Sequence, residues 1–231
     1  VNNALHAAVV RAALDHDLER FVYVSSAMVF EHAQRFPTPE EHLRECPAPS
    51  GAYGFSKLAG EHFCHAAGEE HGLAYTICRP STAYGPGEYP DEAPGVSGAG
   101  AGIFRRALAG ERPIELAGTG EHTRTPTHVA DIADGIVTAM RSPAAVNQDF
   151  NIAGSEERTV AELAAMVWEI AGNDPADFEL ETRPEIPVHA LRSCASAAKA
   201  QELLRWEPRI GLRDGIGTTV AWLREQEVVS P

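Results

Sequence analysis

Phe21-Val22-Tyr23-Val24-Ser25-Ser26 is followed, after a polar stretch, by Ala52-Tyr53-Gly54-Phe55-Ser56-Lys57-Leu58-Ala59-Gly60-Glu61 and then by Ala74-Tyr75-Thr76-Ile77-Cys78-Arg79-Pro80. The first and third stretches are short and almost continuously apolar, which predicts strands in a sheet covered on both faces. The second belongs to a helix predicted from about 52 to 71 and stopped by Gly72. A strand, a helix and a second strand joined by connections of this length predict a parallel crossover. The fold class that follows is α/β, a doubly wound, Rossmann-like parallel sheet.

Working outward, residues 4–18 read as a helix carrying Leu5, Val9, Leu14 and Leu18. The polar, Pro-rich stretch 30–51 reads as a surface excursion. Gly85 to Gly102 is too rich in Gly and Pro for a regular element and is a candidate active-site loop, with a passive loop as the alternative. Helices are expected at 102–109 and 129–141, a strand near 149–153, and a helix over 162–171 stopped by Gly172-Asn173-Asp174-Pro175. A short strand after 178 and helices near 196–205 and 213–226 complete the chain. Those last two helices and 160–171 predict a small, mostly helical C-terminal lobe. The expected division is 1–155 for the sheet domain, with a substrate-lobe insertion near 85–125, and 156–231 for the lobe.

Composition narrows the functions. Nineteen Lys and Arg against 33 Asp and Glu give a net charge of -14 in 231 residues, which argues against nucleic-acid binding by phosphate neutralisation. A small anion held by one or two placed arginines is still compatible. Cys46, Cys64, Cys78 and Cys194 are scattered without metal-ligand spacing, the usage of a reduced, cytoplasmic protein. Ten histidines form no metal motif; Glu61-His62 with His65, and Glu70-His71, read as a polar helix face. No apolar run approaches the roughly 20 residues of a membrane span, and no secretory leader is visible.

Tyr53 and Lys57, four apart, share one helix face. A free phenol titrates near about 10, so it becomes a useful base only beside a cation. Ser26 lies at a strand's C-terminal end, where open sheets place ligands. Together these residues could hold a substrate hydroxyl, with Ser26 as hydrogen-bond partner, Tyr53 exchanging the proton and Lys57 stabilising the phenolate. A surface pair is the plain alternative. Proton removal of this kind suits hydride transfer, which needs a cofactor because no side chain accepts hydride.

Further segments occur in order: Arg79-Pro80-Ser81-Thr82-Ala83-Tyr84-Gly85-Pro86-Gly87, Gly118-Thr119-Gly120-Glu121-His122-Thr123-Arg124, Thr127-His128-Val129-Ala130-Asp131-Ile132-Ala133 and Leu203-Leu204-Arg205-Trp206-Glu207-Pro208. With the opening stretches, the series resembles the extended short-chain dehydrogenase/reductases, specifically the NAD-dependent epimerase/dehydratase family acting on nucleotide-activated sugars. The resemblance runs from Asn3 to about Arg224. It implies Ser26, Tyr53 and Lys57 as catalytic residues, with Tyr53 the acid/base and Lys57 also holding the nicotinamide ribose of NAD or NADP. It places Pro80, Thr82 and Ala83 near the nicotinamide. It implies that Arg124, and also Arg192, grip the substrate's diphosphate, and that Ser26 and Thr82 contact substrate. It also makes a homodimer an expectation.

The departures from the family pattern matter. Thr82 stands where asparagine is common, Phe30-Glu31 where Tyr-Gly is common, and Ser196 where an aspartate is usual. Ala27-Met28 replaces the Asp-Glu pair of the sugar 4,6-dehydratases, which favours an epimerase or ketoreductase. Family members ordinarily place several strands and helices, with a Gly-rich pyrophosphate turn, ahead of a helix like that beginning near Asn3. The expectation is an N-terminally truncated Rossmann-like fold with an exposed strand edge and an apolar face. Such a chain alone would bind NAD(P) weakly or not at all. Gly98-Ala99-Gly100-Ala101-Gly102 follows no strand and does not read as a substitute phosphate cradle. Two other functions stay open: a ketoreductase of a non-sugar metabolite, and a non-catalytic binding or scaffold protein.

Overall fold

Three parallel strands carry the expected crossover. The computed structural model describes residues 2–88, 99–186 and 188–226, with backbone alone for 99–101. Strand β1 (Phe21–Val24) pairs with β2 (Tyr75–Pro80), Phe21 opposite Tyr75 and Val24 opposite Cys78. Strand β7 (Gln148–Ile152) pairs with the other side of β2, Thr76 opposite Gln148 and Pro80 opposite Ile152. The period-2 alternation of β2 sends Ile77 to one face and Cys78 to the other. Helices α1 (Asn2–Leu14) and α2 (Ala52–His71) pack by Val10, Ala13, Cys64 and Ala67 on the face of Tyr23 and Ile77. Helices α4 (Val129–Arg141) and α6 (Ala198–Leu204), with Trp206, pack on the face of Cys78, Phe150 and Ile152. Helices on both faces make the sheet doubly wound. Gly72 ends α2 in the left-handed conformation, φ +72°, returning its N–H to Ala67 and Gly68.

A second core lies beside the sheet. It joins Tyr84, helices α3 (Ala99–Ala109), α5 (Val160–Ile170) and α7 (Leu212–Glu225), and strand β4 (Ile114–Ala117), which pairs in parallel with β9 (Leu180–Arg183). Two-residue strands join the bodies. Strand β3 (Ala83–Tyr84) pairs with β6 (Thr127–His128), and β5 (Thr123–Arg124) lies between β8 (Arg158–Thr159) and β10 (Arg192–Ser193).

Several expectations need correction. Helix α1 stops at Leu14, not residue 18, and turns Leu5 and Val9 outward. Its inward residues are Val10 and Ala13, small enough to let α2 approach. Strand β1 keeps its faces covered, Val22 on one and Tyr23 on the other, and carries the expected exposed strand edge: it pairs with β2 alone among the described residues, and Val24 is exposed. The stretch 30–51 is not a simple surface excursion. Thr38 exchanges backbone hydrogen bonds with Cys194 and Ser196, and buried Glu40 accepts the Asn151 N–H at 2.7 Å. That amide is on β7, which pairs with β2 alone among the described residues, so its outward N–H takes an acceptor from outside the sheet. Of the expected irregular segment 85–102, residues 99–102 belong to α3, and 89–98 lie outside the described residues. The helix near 196–205, expected with the C-terminal lobe, packs on β7 as α6.

Candidate active site

The C-terminal end of β1 gathers the first group. Ser26 continues the extended backbone at φ -160° and ψ 149°, and its hydroxyl oxygen accepts the Met28 N–H at 3.2 Å. This opens a 3₁₀ turn, Ala27–Phe30, and leaves the serine O–H free to donate. Helix α2 lies against that turn. Gly54 permits the approach, since a Cβ there would stand 2.7 Å from the Met28 carbonyl oxygen.

Tyr53 leaves the first turn of α2 and is 51% exposed. One turn later Lys57 donates Nζ to the Val24 carbonyl at 2.9 Å, which holds its ammonium 5.8 Å from the centre of the Tyr53 ring. Burial lowers the lysine's pKa from its ordinary value. A second phenol, Tyr23, has its ring centre 5.7 Å from the same ammonium. Burial pushes that phenol's pKa up, and its hydroxyl sits against Gly60, where a Cβ would overlap it. Of the two phenols beside Lys57, Tyr53 is the accessible one. A phenol, an ammonium and a serine hydroxyl so placed can exchange a proton with a bound hydroxyl.

Below them runs a buried ionic network that sequence reasoning missed. Glu61 follows Lys57 by one more turn and was expected on a polar face with His62. It is instead 2% exposed, bound twice by Arg79, Nε and Nη2 each at 2.8 Å, while Ser25 donates its hydroxyl at 2.5 Å. Arg79 reaches Asp149 with Nη1 at 2.7 Å, and Lys199 meets the same carboxylate at 2.8 Å. Burial opposes ionisation of Asp149, but Arg79 and Lys199 outweigh it and hold the carboxyl at about 2. The missed signal was the spacing Tyr53, Lys57, Glu61, each four apart, together with an arginine inside an apolar strand.

At the end of β2, Pro80 closes the strand and Thr82 and Ala83 are exposed. The Thr82 carbonyl accepts the Thr127 N–H at 2.8 Å, and Ala83 lies opposite Thr127 in the β3–β6 pair. Pro80, Thr82 and Ala83 thus occupy the strand end next to that of Ser26.

The two arginines lie on adjacent strands, with Arg192 opposite Thr123 and Ser193 opposite Arg124. Arg124 spends its guanidinium on backbone carbonyls: Nη1 to Thr123 at 2.7 Å and Ala190 at 2.8 Å, Nη2 to His189 at 3.2 Å. Arg192 is bound by Glu157 through two bonds of 2.7 and 2.8 Å and lies 4.5 Å from the Phe36 ring centre. Glu31, Phe36, His189 and Arg192 line a cavity of about 520 Å³ between the segment after Ser26 and the segment 188–192. Among the described residues no three His, Cys, Asp or Glu side chains gather as a metal site, and no helix is long and apolar enough to cross a membrane.

Comparison with known proteins bears on this geometry. The sequence model described as "NAD dependent epimerase/dehydratase family" matches residues 1–153. An uncharacterized UDP-glucose epimerase of Bacillus subtilis (strain 168) is 27% identical over 93% of this chain and 64% of its own length. The UDP-glucose 4-epimerase of Mycolicibacterium smegmatis is 30% identical over 90% of this chain and 64% of its own. Among solved structures, a UDP-glucose 4-epimerase of Thermotoga maritima with UDP-glucose superposes with a TM-score of 0.85 at 30% identity, over 96% of this chain and 68% of that one. A UDP-glucuronic acid 4-epimerase of Bacillus cereus in complex with UDP-glucuronic acid and NAD gives 0.85 at 25%, over 97% and 68%. The chain therefore spans less than two thirds of the length of these curated relatives.

Proposed function

We propose that this chain, which belongs to the NAD dependent epimerase/dehydratase family, carries the proton-handling part of an NAD(P)-dependent epimerase or related oxidoreductase acting on a nucleotide-activated sugar. The observation that carries the reading is the accessible Tyr53 phenol beside a Lys57 ammonium fixed to the end of β1. Ser26 would donate its free O–H to the substrate oxygen, and Tyr53 would take or return the proton on that oxygen. Lys57 would stabilise the phenolate by its charge.

The strand ends suit a nicotinamide: Lys57 would hold its ribose, and the exposed Thr82 and Ala83 would border the ring. Bound there, NAD or NADP would supply the hydride chemistry that side chains lack. Arg124 and Arg192 would face the substrate's diphosphate, a role suited to planar guanidinium donors. The proposed division is 1–155 for the sheet, with the insertion near 85–125, and 156–231 mainly for substrate, apart from α6, which packs on the sheet. Ala27 and Met28 bring no carboxylate beside Ser26, which favours epimerisation or reduction over 4,6-dehydration.

The test is an assay of the protein with NAD or NADP and a panel of UDP-, GDP- and dTDP-sugars. Appearance of a sugar isomer without net cofactor change supports epimerisation, and net cofactor oxidation supports a reductase. One observation favours a ketoreductase of a non-sugar substrate: Glu157 already occupies the edge of Arg192 that a diphosphate would use. Turnover of small carbonyl compounds with none of nucleotide sugars would establish that alternative.

A further inference from the structure

Helix α2 begins at Gly51, which has no side chain to cap it, and neither Ser50 nor any residue of its own first turn fills the role. Ser50 meets His32 instead, Oγ to Nε2 at 2.8 Å. The acceptor comes from elsewhere in the chain: Glu31 Oε2 takes the Gly51 N–H at 3.0 Å. Glu31 closes the 3₁₀ turn that Ser26 opens, and its own N–H returns to the Met28 carbonyl. Its other oxygen, Oε1, lies 3.4 Å from His189 Nδ1. The carbonyls of His189 and Ala190 are the ones that hold the Arg124 guanidinium.

We propose that Glu31 is a positioning residue with two arms: it fixes the first turn of α2, and so Tyr53, and it latches the segment 189–192, and so Arg124 and Arg192. A buried carboxylate at a helix N-terminus satisfies an orphan N–H and meets the positive end of the helix dipole. The same carboxylate joins the residues that would move the proton to those that would hold the substrate's anionic end. The role given to the arginines rests on the nucleotide-sugar reading; the contacts of Glu31 do not.

Gly51 and Glu31 are also coupled sterically. A Cβ on Gly51 would stand 3.2 Å from Glu31 Oε2 and 3.3 Å from His189 Nδ1, so a side chain there needs both to give by a few tenths of an ångström, and loss of the carboxylate relieves the first contact. Gly51→Ser then supplies a cap of the conventional kind, its hydroxyl accepting the Tyr53 or Gly54 N–H in place of the bond lost at residue 51. The experiment compares wild type, Glu31→Ala, Gly51→Ser, the double variant and Glu31→Gln. Amide exchange is read in 51–54 and 189–192, affinity is read with UDP, and kcat and KM are read in the cofactor-loaded enzyme.

Glu31→Ala is expected to speed exchange in both segments by about five- to ten-fold, lower kcat and weaken UDP binding. The double variant is expected to recover 51–54 protection and kcat, but not 189–192 protection or UDP affinity. Glu31→Gln, which keeps an acceptor and the volume, stays within about two-fold of wild type in 51–54. Unchanged exchange in folded Glu31→Ala, or rescue of both segments together by Gly51→Ser, overturns the two-armed role. If Glu31→Ala does not fold, loss of 51–54 protection in Glu31→Gln overturns it and retention supports it. Failure of wild type to bind UDP counts against the substrate reading, and exchange then decides the role of Glu31.

Discussion

The region around α2 and the region around β5 hold their charged side chains in opposite ways. Behind Tyr53 and Lys57, Glu61 and Arg79 are sealed from water and bound by two parallel hydrogen bonds. Around β5, Arg192 and Glu157 meet through equally short bonds, yet the Arg192 side chain is about half exposed. Similar geometry has different consequences in the two places. A buried pair costs several kcal/mol to break from one side because a charge is left without water or partner, whereas an exposed pair is screened and easily replaced by solvent. The end that carries Tyr53 and Lys57 is therefore built as a rigid seat, and the end that carries Arg192 as an exchangeable one.

Breaking the rigid seat gives the largest effect. Glu61→Ala leaves Arg79 buried beside Asp149 alone and is expected to cost about 3 kcal/mol or more. Denaturant unfolding measures it, and a loss near zero would erase the contrast between the regions. Acid sharpens the contrast next. Asp149 has a folded pKa of about 2 against an ordinary 3.8, so its contribution is complete above 3.8 and is lost as the pH falls through about 2. By linkage the shift is worth about 2 kcal/mol. The Tm of wild type should fall more steeply below pH 4 than that of Asp149→Asn, and parallel curves would contradict the assignment.

A comparable loss, about 1–3 kcal/mol, is expected for Gly60→Ala, whose methyl would collide with the Tyr23 hydroxyl between α1 and α2. At the bottom of the scale, Arg192→Ala should leave Tm where it was while weakening UDP binding. A large drop in Tm from that change would show that the β5 region is as rigid as the other.

The same contrast decides what could be read from sequence. Ser26, Tyr53 and Lys57 were legible because one strand end and one helix period bring them together, a local matter. The β1–α2–β2 crossover was legible for the same reason. Glu61 was not, because its burial depends on Arg79, which sits on another element, and a carboxylate beside two histidines reads as a solvated face. Of the apolar residues that marked α1, Leu14 packs on the core while Leu5 and Val9 face outward, and Val10 and Ala13 fill the contact with α2 instead, a choice of face set by the neighbouring helix and not by the residues' own spacing. Strands β5, β8 and β10 have two residues each, too few for any period, and their pairing joins positions far apart in the chain. Glu31 was visible only as a departure from the Tyr-Gly pair common at Phe30-Glu31; its contacts with Gly51 and His189 come from the fold.

The central claim is that Tyr53 moves the proton while other residues hold the ligands. Its most direct test is Tyr53→Phe in the cofactor-loaded protein, with turnover and UDP affinity measured on the same preparation. The expected result is a loss of turnover of about 10²- to 10⁴-fold with UDP affinity unchanged. Turnover like that of wild type would contradict the claim.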